Sequence, residues 1–105
     1  MEDNCIFCKI ANGEIPSATV YEDETFRAIL DLSPAAKGHT LILPKAHAAN
    51  LFELPDETAA KALMLAKRLG ALLKEGLHAD GLNVVQNNGE AAGQTVLHFH
   101  MHLIP

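Results

Sequence analysis

The final nine residues, LHFHMHLIP, alternate imidazoles with apolar side chains: His98, Phe99, His100, Met101, His102, Leu103. A period of two has one regular solution, a β-strand, in which residues i, i+2 and i+4 share a face. His98, His100 and His102 then point one way, while Phe99, Met101 and Leu103 point into a core. A helix, turning about 100° per residue, would scatter the three rings around its circumference. One solvent-facing histidine needs no explanation. Three in register do, because Thr, Lys or Glu would serve solvation equally well. The ends of the row lie ~13 Å apart at ~3.3 Å per residue, so His98 and His102 cannot share one ion. At least one imidazole therefore has another task. Neutral imidazole offers a nucleophilic nitrogen and imidazolium an acid near neutral pH, a pairing suited to covalent catalysis on phosphorus.

The remaining residues set that strand in an α+β fold. "TVYEDETFRAILD" reads as a hairpin and "HTLILPKAH" as a strand stopped by Pro44. "DETAAKALMLAKRLGALLKEG" is the long helix, with Asp56 as its cap and Gly76 at its end. "GLNVVQN" and residues 94–104 give two more strands, and "CIFCKIANG" a short helical turn ended by Gly13. Successive strands around one long helix imply a mainly antiparallel sheet. The apolar residues of the long helix, Leu63 to Leu73, cover more than the ~100° stripe of a surface helix. Either the helix touches a second subunit as well as its own sheet, or it is sunk deeply in its own core.

At 105 residues the chain reads as a single domain over 1–105, and 49% apolar residues exclude disorder. A net charge of -5 with scattered Lys and Arg argues against a nucleic acid polymer as partner but leaves room for a small anion. No apolar run approaches the roughly 20 residues of a membrane span. The opening "MEDNCIFCKI" lacks the charge pattern of a signal peptide, so a cytoplasmic location is expected. In that setting Cys5-x-x-Cys8 suggests metal binding or redox work rather than a structural disulfide.

His-x-His-x-His followed by two apolar residues resembles the defining motif of the histidine triad (HIT) superfamily. "CIFCKI", "GEIP", "LDLSPAAKGHTLILPKAH" and "NNGEAAGQTVLHFHMHLIP" are similar to its Hint branch of nucleoside phosphoramidase-like proteins. The resemblance runs from Cys5 to Pro105. It implies a five-stranded antiparallel sheet with one long and one short N-terminal helix, and a homodimer. Relatives continue several residues past "LIP" and use that tail in substrate choice, which leaves substrate preference open.

By the same resemblance, His100 is the nucleophile. Its Nε2 attacks the α-phosphorus of an AMP- or GMP-like conjugate, and its other nitrogen keeps a proton on an acceptor such as a backbone carbonyl. His102 binds the same phosphate or donates a proton, and His39 completes the catalytic group, although a histidine buried in a strand can simply pack. Asp31 matches the ribose-binding acid, against the alternative of a turn-starting Asp before Ser-Pro. Leu32, Phe7 and Ile10 are candidate walls for the base. Asn87, Gly93, Gln94 and Thr95 would hold phosphate, leaving group or sugar, though Asn-Gly alone says only hairpin turn.

Cys5, Cys8, His47 and His98 make a Cys2His2 set at positions where some relatives bind zinc, and a closed site of that kind is structural. The function implied is nucleotidyl hydrolase or transferase. The alternatives are a nucleotide-binding regulatory module with incidental hydrolysis, a dinucleoside polyphosphate hydrolase, and a zinc hydrolase using the triad as ligands.

Overall fold

The computed structural model of the protein describes residues 4–105; the acidic opening, residues 1–3, lies outside the described residues. Its elements are α1 (Ile6–Ala11), β1 (Thr19–Glu22), β2 (Phe26–Leu30), β3 (Thr40–Pro44), α2 (Asp56–Gly76), β4 (Asn83–Val85), a 3-10 turn (Glu90–Ala92) and β5 (Met101–Ile104). Among the described residues the five strands form one sheet in the order β1-β2-β3-β5-β4, every pair antiparallel. The α+β architecture expected from the sequence is the one observed. No helix among the described residues is long and apolar enough to cross a membrane.

The sheet separates two apolar layers. Phe26, Ala28, Ile42, Phe99, Met101 and Leu103 meet Ala62, Leu65 and Ala66 of α2 on one face. Ile29, Leu41 and Leu43 meet Ala11 on the other, with Phe7 and Ile10 of α1 beside them. Every residue of β3 is buried, as expected for a central strand covered on both sides. His102 pairs with Leu41 in the β3–β5 register, so its imidazole stands on the α1 face. Alternation within β5 thus places His102 on the α1 face and Met101 and Leu103 against α2, where Phe99 joins them from before the strand, but the single strand face expected for all three histidines holds only for His102.

The final strand is shorter than residues 94–104. It begins at Met101, opposite Ile42, and His98 and His100 lie before it in irregular backbone. The reason sits in β3, whose last residue is Pro44 and has no N–H to extend the ladder. Phe99 N–H turns to the carbonyl of Ala48 at 2.7 Å, while the carbonyl of Pro44 takes the ring of His98 at 2.8 Å. Similarly, β4 keeps only Asn83–Val85 of the expected "GLNVVQN".

The ends of α2 also differ from expectation. Pro55 occupies the cap position and no side chain caps the helix; Asp56 is its first residue, where its charge favours the positive end of the helix. Gly76 is the last helical residue, and the left-handed conformation falls on His78, at φ 53°. The N–H groups of His78 and Ala79 close on the carbonyls of Glu75 and Lys74 at 3.2 and 2.9 Å, a Schellman termination. At the end of α1, Gly13 takes the equivalent position as expected, with φ 82°.

Of the wide apolar arc on α2, Leu65 is buried and Leu69 and Leu73 pack on the core. Leu63, Met64 and Leu72 remain exposed, at 61%, 53% and 67%. Within one chain the helix is therefore not sunk all round.

Candidate active site

The backbone gives the triad imidazoles different orientations. His100 is 6% exposed, and its Nδ1 lies 2.7 Å from the carbonyl oxygen of His98. A carbonyl only accepts, so Nδ1 carries the proton and Nε2 a lone pair. The ring of His102 packs edge-on to that of His100, with centroids 5.0 Å apart. Its Nδ1 meets Nε2 of His39 at 2.9 Å. His39, on the turn before β3, lies with its Nε2 3.5 Å from Oδ2 of Asp31. Burial lowers the pKa of His102, and its neighbours His100 and His39 lower it further, against a smaller pull from Asp31. His102 is therefore neutral at pH 7.

His98 is fully buried and belongs to a second cluster. Its Nε2–H donates to the carbonyl of Pro44, which leaves a lone pair on Nδ1. Nδ1 sits 3.3 Å from both Cys5 Sγ and Cys8 Sγ, and Nδ1 of His47 lies 3.2 Å from Cys8 Sγ. All four donor atoms fall within 4.8 Å of one another. Burial depresses the His98 pKa to about 4, with smaller contributions from His47 and His100, so its lone pair persists at neutral pH. Two sulfurs and two imidazole nitrogens, one ring oriented by a carbonyl behind it, fit the composition and outer-shell support of a metal centre. Cys5 caps α1, its sulfur accepting the N–H of Cys8 at 3.2 Å. Phe7, between the two cysteines, lies edge-to-face with the rings of His100 and His98, with centroids 5.0 and 6.2 Å apart. The Cys-x-x-Cys turn thus abuts both clusters.

The loop before the triad is framed by Gln94. This side chain is 2% exposed; its oxygen accepts Gly89 N–H at 2.8 Å, and its amide donates to the carbonyls of Ala49 and Val96 at 2.6 and 2.9 Å. Its hydrogen bonds thus hold the loop rather than face outward as the sequence suggested. Gly93 has φ 92°, a conformation strained for any residue with a Cβ, and the Asn87 amide lies beside it. Thr95 is exposed and shares a surface depression with Cys5, His47 and Leu97.

Asp31 is half-buried, with Oδ1 accepting Ser33 N–H at 2.8 Å, so its turn-making role is real. Its other oxygen faces His39. Leu32, next along, is 96% exposed. Ile10 packs on the small core beside Phe7. The structure therefore brings His39, His100, His102 and Asp31 together, and Cys5, Cys8, His47 and His98 together. The Pro44 carbonyl behind His98 and the Ala35 N–H, 3.0 Å from His39 Nδ1, were missed by sequence reasoning. They act through the backbone, so residue type carries no signal for them.

A family model described as the HIT domain matches residues 12–105. Adenosine 5'-monophosphoramidase HNT1 of Saccharomyces cerevisiae is 50% identical over 101 residues, covering 96% of this chain and 61% of that protein. A crystal structure of a HIT family protein from Bacillus anthracis superposes with a TM-score of 0.94 at 48% identity, over 100% of this chain and 74% of that one. A zinc-bound histidine triad family protein from Mycobacterium smegmatis gives 0.93 at 46% identity, over 97% and 74%. The alternating imidazoles, the sheet that carries them and these similarities agree: the chain belongs to the HIT family.

Proposed function

We propose that the protein hydrolyses nucleotide conjugates at the α-phosphate, as a purine nucleoside phosphoramidase-like enzyme, through a nucleotidyl-histidine on His100. The observation that carries this reading is the 2.7 Å contact between His100 Nδ1 and the His98 carbonyl, which leaves the Nε2 lone pair for attack. As the Nε2–P bond forms, the P–N bond to the leaving amine breaks, and the amine departs with a proton donated by His102. His102, with its ring 5.0 Å from that of His100, contacts the phosphoryl group. Water then attacks phosphorus and passes a proton back to His102, the P–Nε2 bond breaks to restore the His100 lone pair, and the nucleoside monophosphate is released. Charge on the phosphoryl oxygens needs fixed donors, which Thr95 and the backbone around Gly93 supply. Asp31 accepts from ribose hydroxyls, Asn87 reaches the sugar or leaving group, and Leu32 gives the base an apolar cover.

The name of the yeast relative, adenosine 5'-monophosphoramidase, supports this substrate class. Cys5, Cys8, His47 and His98 hold zinc in the same reading, which the zinc-bound relative supports. Four protein ligands leave no open position, so the ion's contribution is to tie α1 to the segment that carries His100. Exposed Leu63 on α2 and Val84 on edge strand β4 support a homodimer through that flank.

The test is turnover of adenosine 5'-phosphoramidate with His100→Ala. Activity should vanish, and no nucleotidylated protein should be trapped. Full turnover by the variant ends the proposal, and AMP binding without turnover in the parent points to a binding module instead.

A further inference from the structure

Two imidazoles side by side in one site, His100 and His102, need opposite protonation patterns if one is to attack phosphorus and the other to donate to the phosphoryl group's oxygens or its leaving amine. The His98 carbonyl fixes the first. We propose that the peptide N–H of Ala35 fixes the second, acting through His39 so that His102 presents Nε2–H to the site.

The assignment follows from donors and acceptors. Ala35 N lies 3.0 Å from Nδ1 of His39. A peptide N–H can only donate, so Nδ1 holds a lone pair and the ring proton of His39 sits on Nε2. That Nε2 is 2.9 Å from Nδ1 of His102. A donor on one side demands a lone pair on the other, and the proton of His102 moves to its Nε2. The reverse assignment puts a proton on His39 Nδ1, facing Ala35 N–H donor to donor. A doubly protonated ring at either position repeats that conflict. Asp31 Oδ2, 3.5 Å from His39 Nε2, adds a negative acceptor on the side where the proton is placed.

Ala35 is held for this role. Asp31 N–H donates to the His39 carbonyl at 2.9 Å and His39 N–H to that of Ala36 at 3.1 Å, closing the loop that carries Ala35 against the ring it orients. The same contact bears on a second cluster. Asp31, His39 and His102 have the composition of a two-histidine, one-carboxylate metal site. Ligation through His39 Nε2 needs its lone pair there, and Ala35 N–H directs the proton there instead. Ala35 is a positioning residue, and the trio is a chain of oriented protons rather than a metal centre.

The catalytic consequence rests on the nucleotidyl-transfer reading; the protonation pattern does not. Long-range 1H–15N spectra of the 15N-histidine-labelled protein at neutral pH read the pattern directly. His102 and His39 should show a protonated Nε2 and a bare Nδ1, and His100 the opposite. A protonated Nδ1 on His102 overturns the proposal. His39→Gln offers a donor and His39→Glu an acceptor at the Nε2 position. The first should keep the His102 pattern and the second reverse it, with kcat at least about tenfold lower in the Glu variant than in the Gln variant and KM little changed. Identical His102 spectra in the two variants overturn it equally. A parent protein with the expected spectra but no phosphoramidate turnover supports the Ala35 assignment and ends the transfer reading alone.

Discussion

His98 reaches across the sheet with its Nε2–H to the carbonyl oxygen of Pro44, 2.8 Å away, on the strand whose ladder ends there. One ring thereby closes the gap left by a proline and turns its other nitrogen toward Cys5 and Cys8. Donors aligned in advance bind an ion without reorganising. Cys8→Ser should take bound zinc from about one ion per chain to well below it, by elemental analysis of the purified protein. Because an ion held by these four residues would tie α1 to the triad segment, Tm should fall by several degrees; a loss of 1 kcal/mol is worth about 4–8 °C in a domain of this size. Equal zinc content in the parent and the variant would remove these residues from the list of ligands.

The depressed pKa of His98 makes a statement about acid stability. In the unfolded chain the ring titrates at its ordinary 6.5, in the fold at about 4. The unfolded state therefore binds more protons between these values, and stability falls as pH drops through that window. The difference of 2.5 units corresponds to on the order of 3 kcal/mol for this buried ring. His102, also lowered, adds in the same direction. Urea midpoints of zinc-free protein should decline from neutral pH to about pH 5, above the unfolded-state values of 4.5 and 3.8 at which Glu22 and Asp23, both lowered in the fold, begin to contribute in the same direction. A flat profile over that range would contradict the buried, neutral state of His98.

The period-two row made the face of His102 and the inward course of Phe99, Met101 and Leu103 legible, whereas His98 and His100 precede the strand and turn toward different partners. The Cys-x-x-Cys turn was legible because thiols at that spacing have few structural uses in a chain without disulfides. The point at which β5 begins was not, since Pro44 ends the ladder from the neighbouring strand and the sequence of 94–104 keeps its apolar content regardless. Gln94 was read as a ligand donor, yet burial turned it inward; nothing in "GQT" distinguishes the two. Ala35 and the Pro44 carbonyl escaped for a simpler reason: a backbone group has no letter of its own.

The two helix ends make matched predictions. Gly13 and His78 occupy the same left-handed position after α1 and α2, at φ 82° and 53°. A Cβ in that conformation costs about 1–2 kcal/mol. His78→Gly should recover roughly 1 kcal/mol and raise Tm by about 4–8 °C, while Gly13→Ala should lose a similar amount. Thermal scans of both variants beside the parent check this. A less stable His78→Gly protein would mean that the exposed ring contributes more than its backbone costs.

Gln94→Ala tests whether the loop before the triad is held from within. The side chain satisfies Gly89 N–H and the carbonyls of Ala49 and Val96, and each of these contacts is partly buried. Alanine leaves three backbone groups without a partner, at about 1–3 kcal/mol for each that stays dry. Water entering the gap recovers part of that, so a net loss of about 2–4 kcal/mol in urea denaturation is expected. The loop carries Gly93 and Thr95, so phosphoramidate turnover should fall with it even under conditions where the variant is fully folded. Gln94→Glu separates the two effects. Its carboxylate keeps the acceptor for Gly89 but faces the carbonyls of Ala49 and Val96 with lone pairs, so it should be at least as destabilising as alanine. A stable, active Glu variant would show that the side chain points outward, toward the ligand.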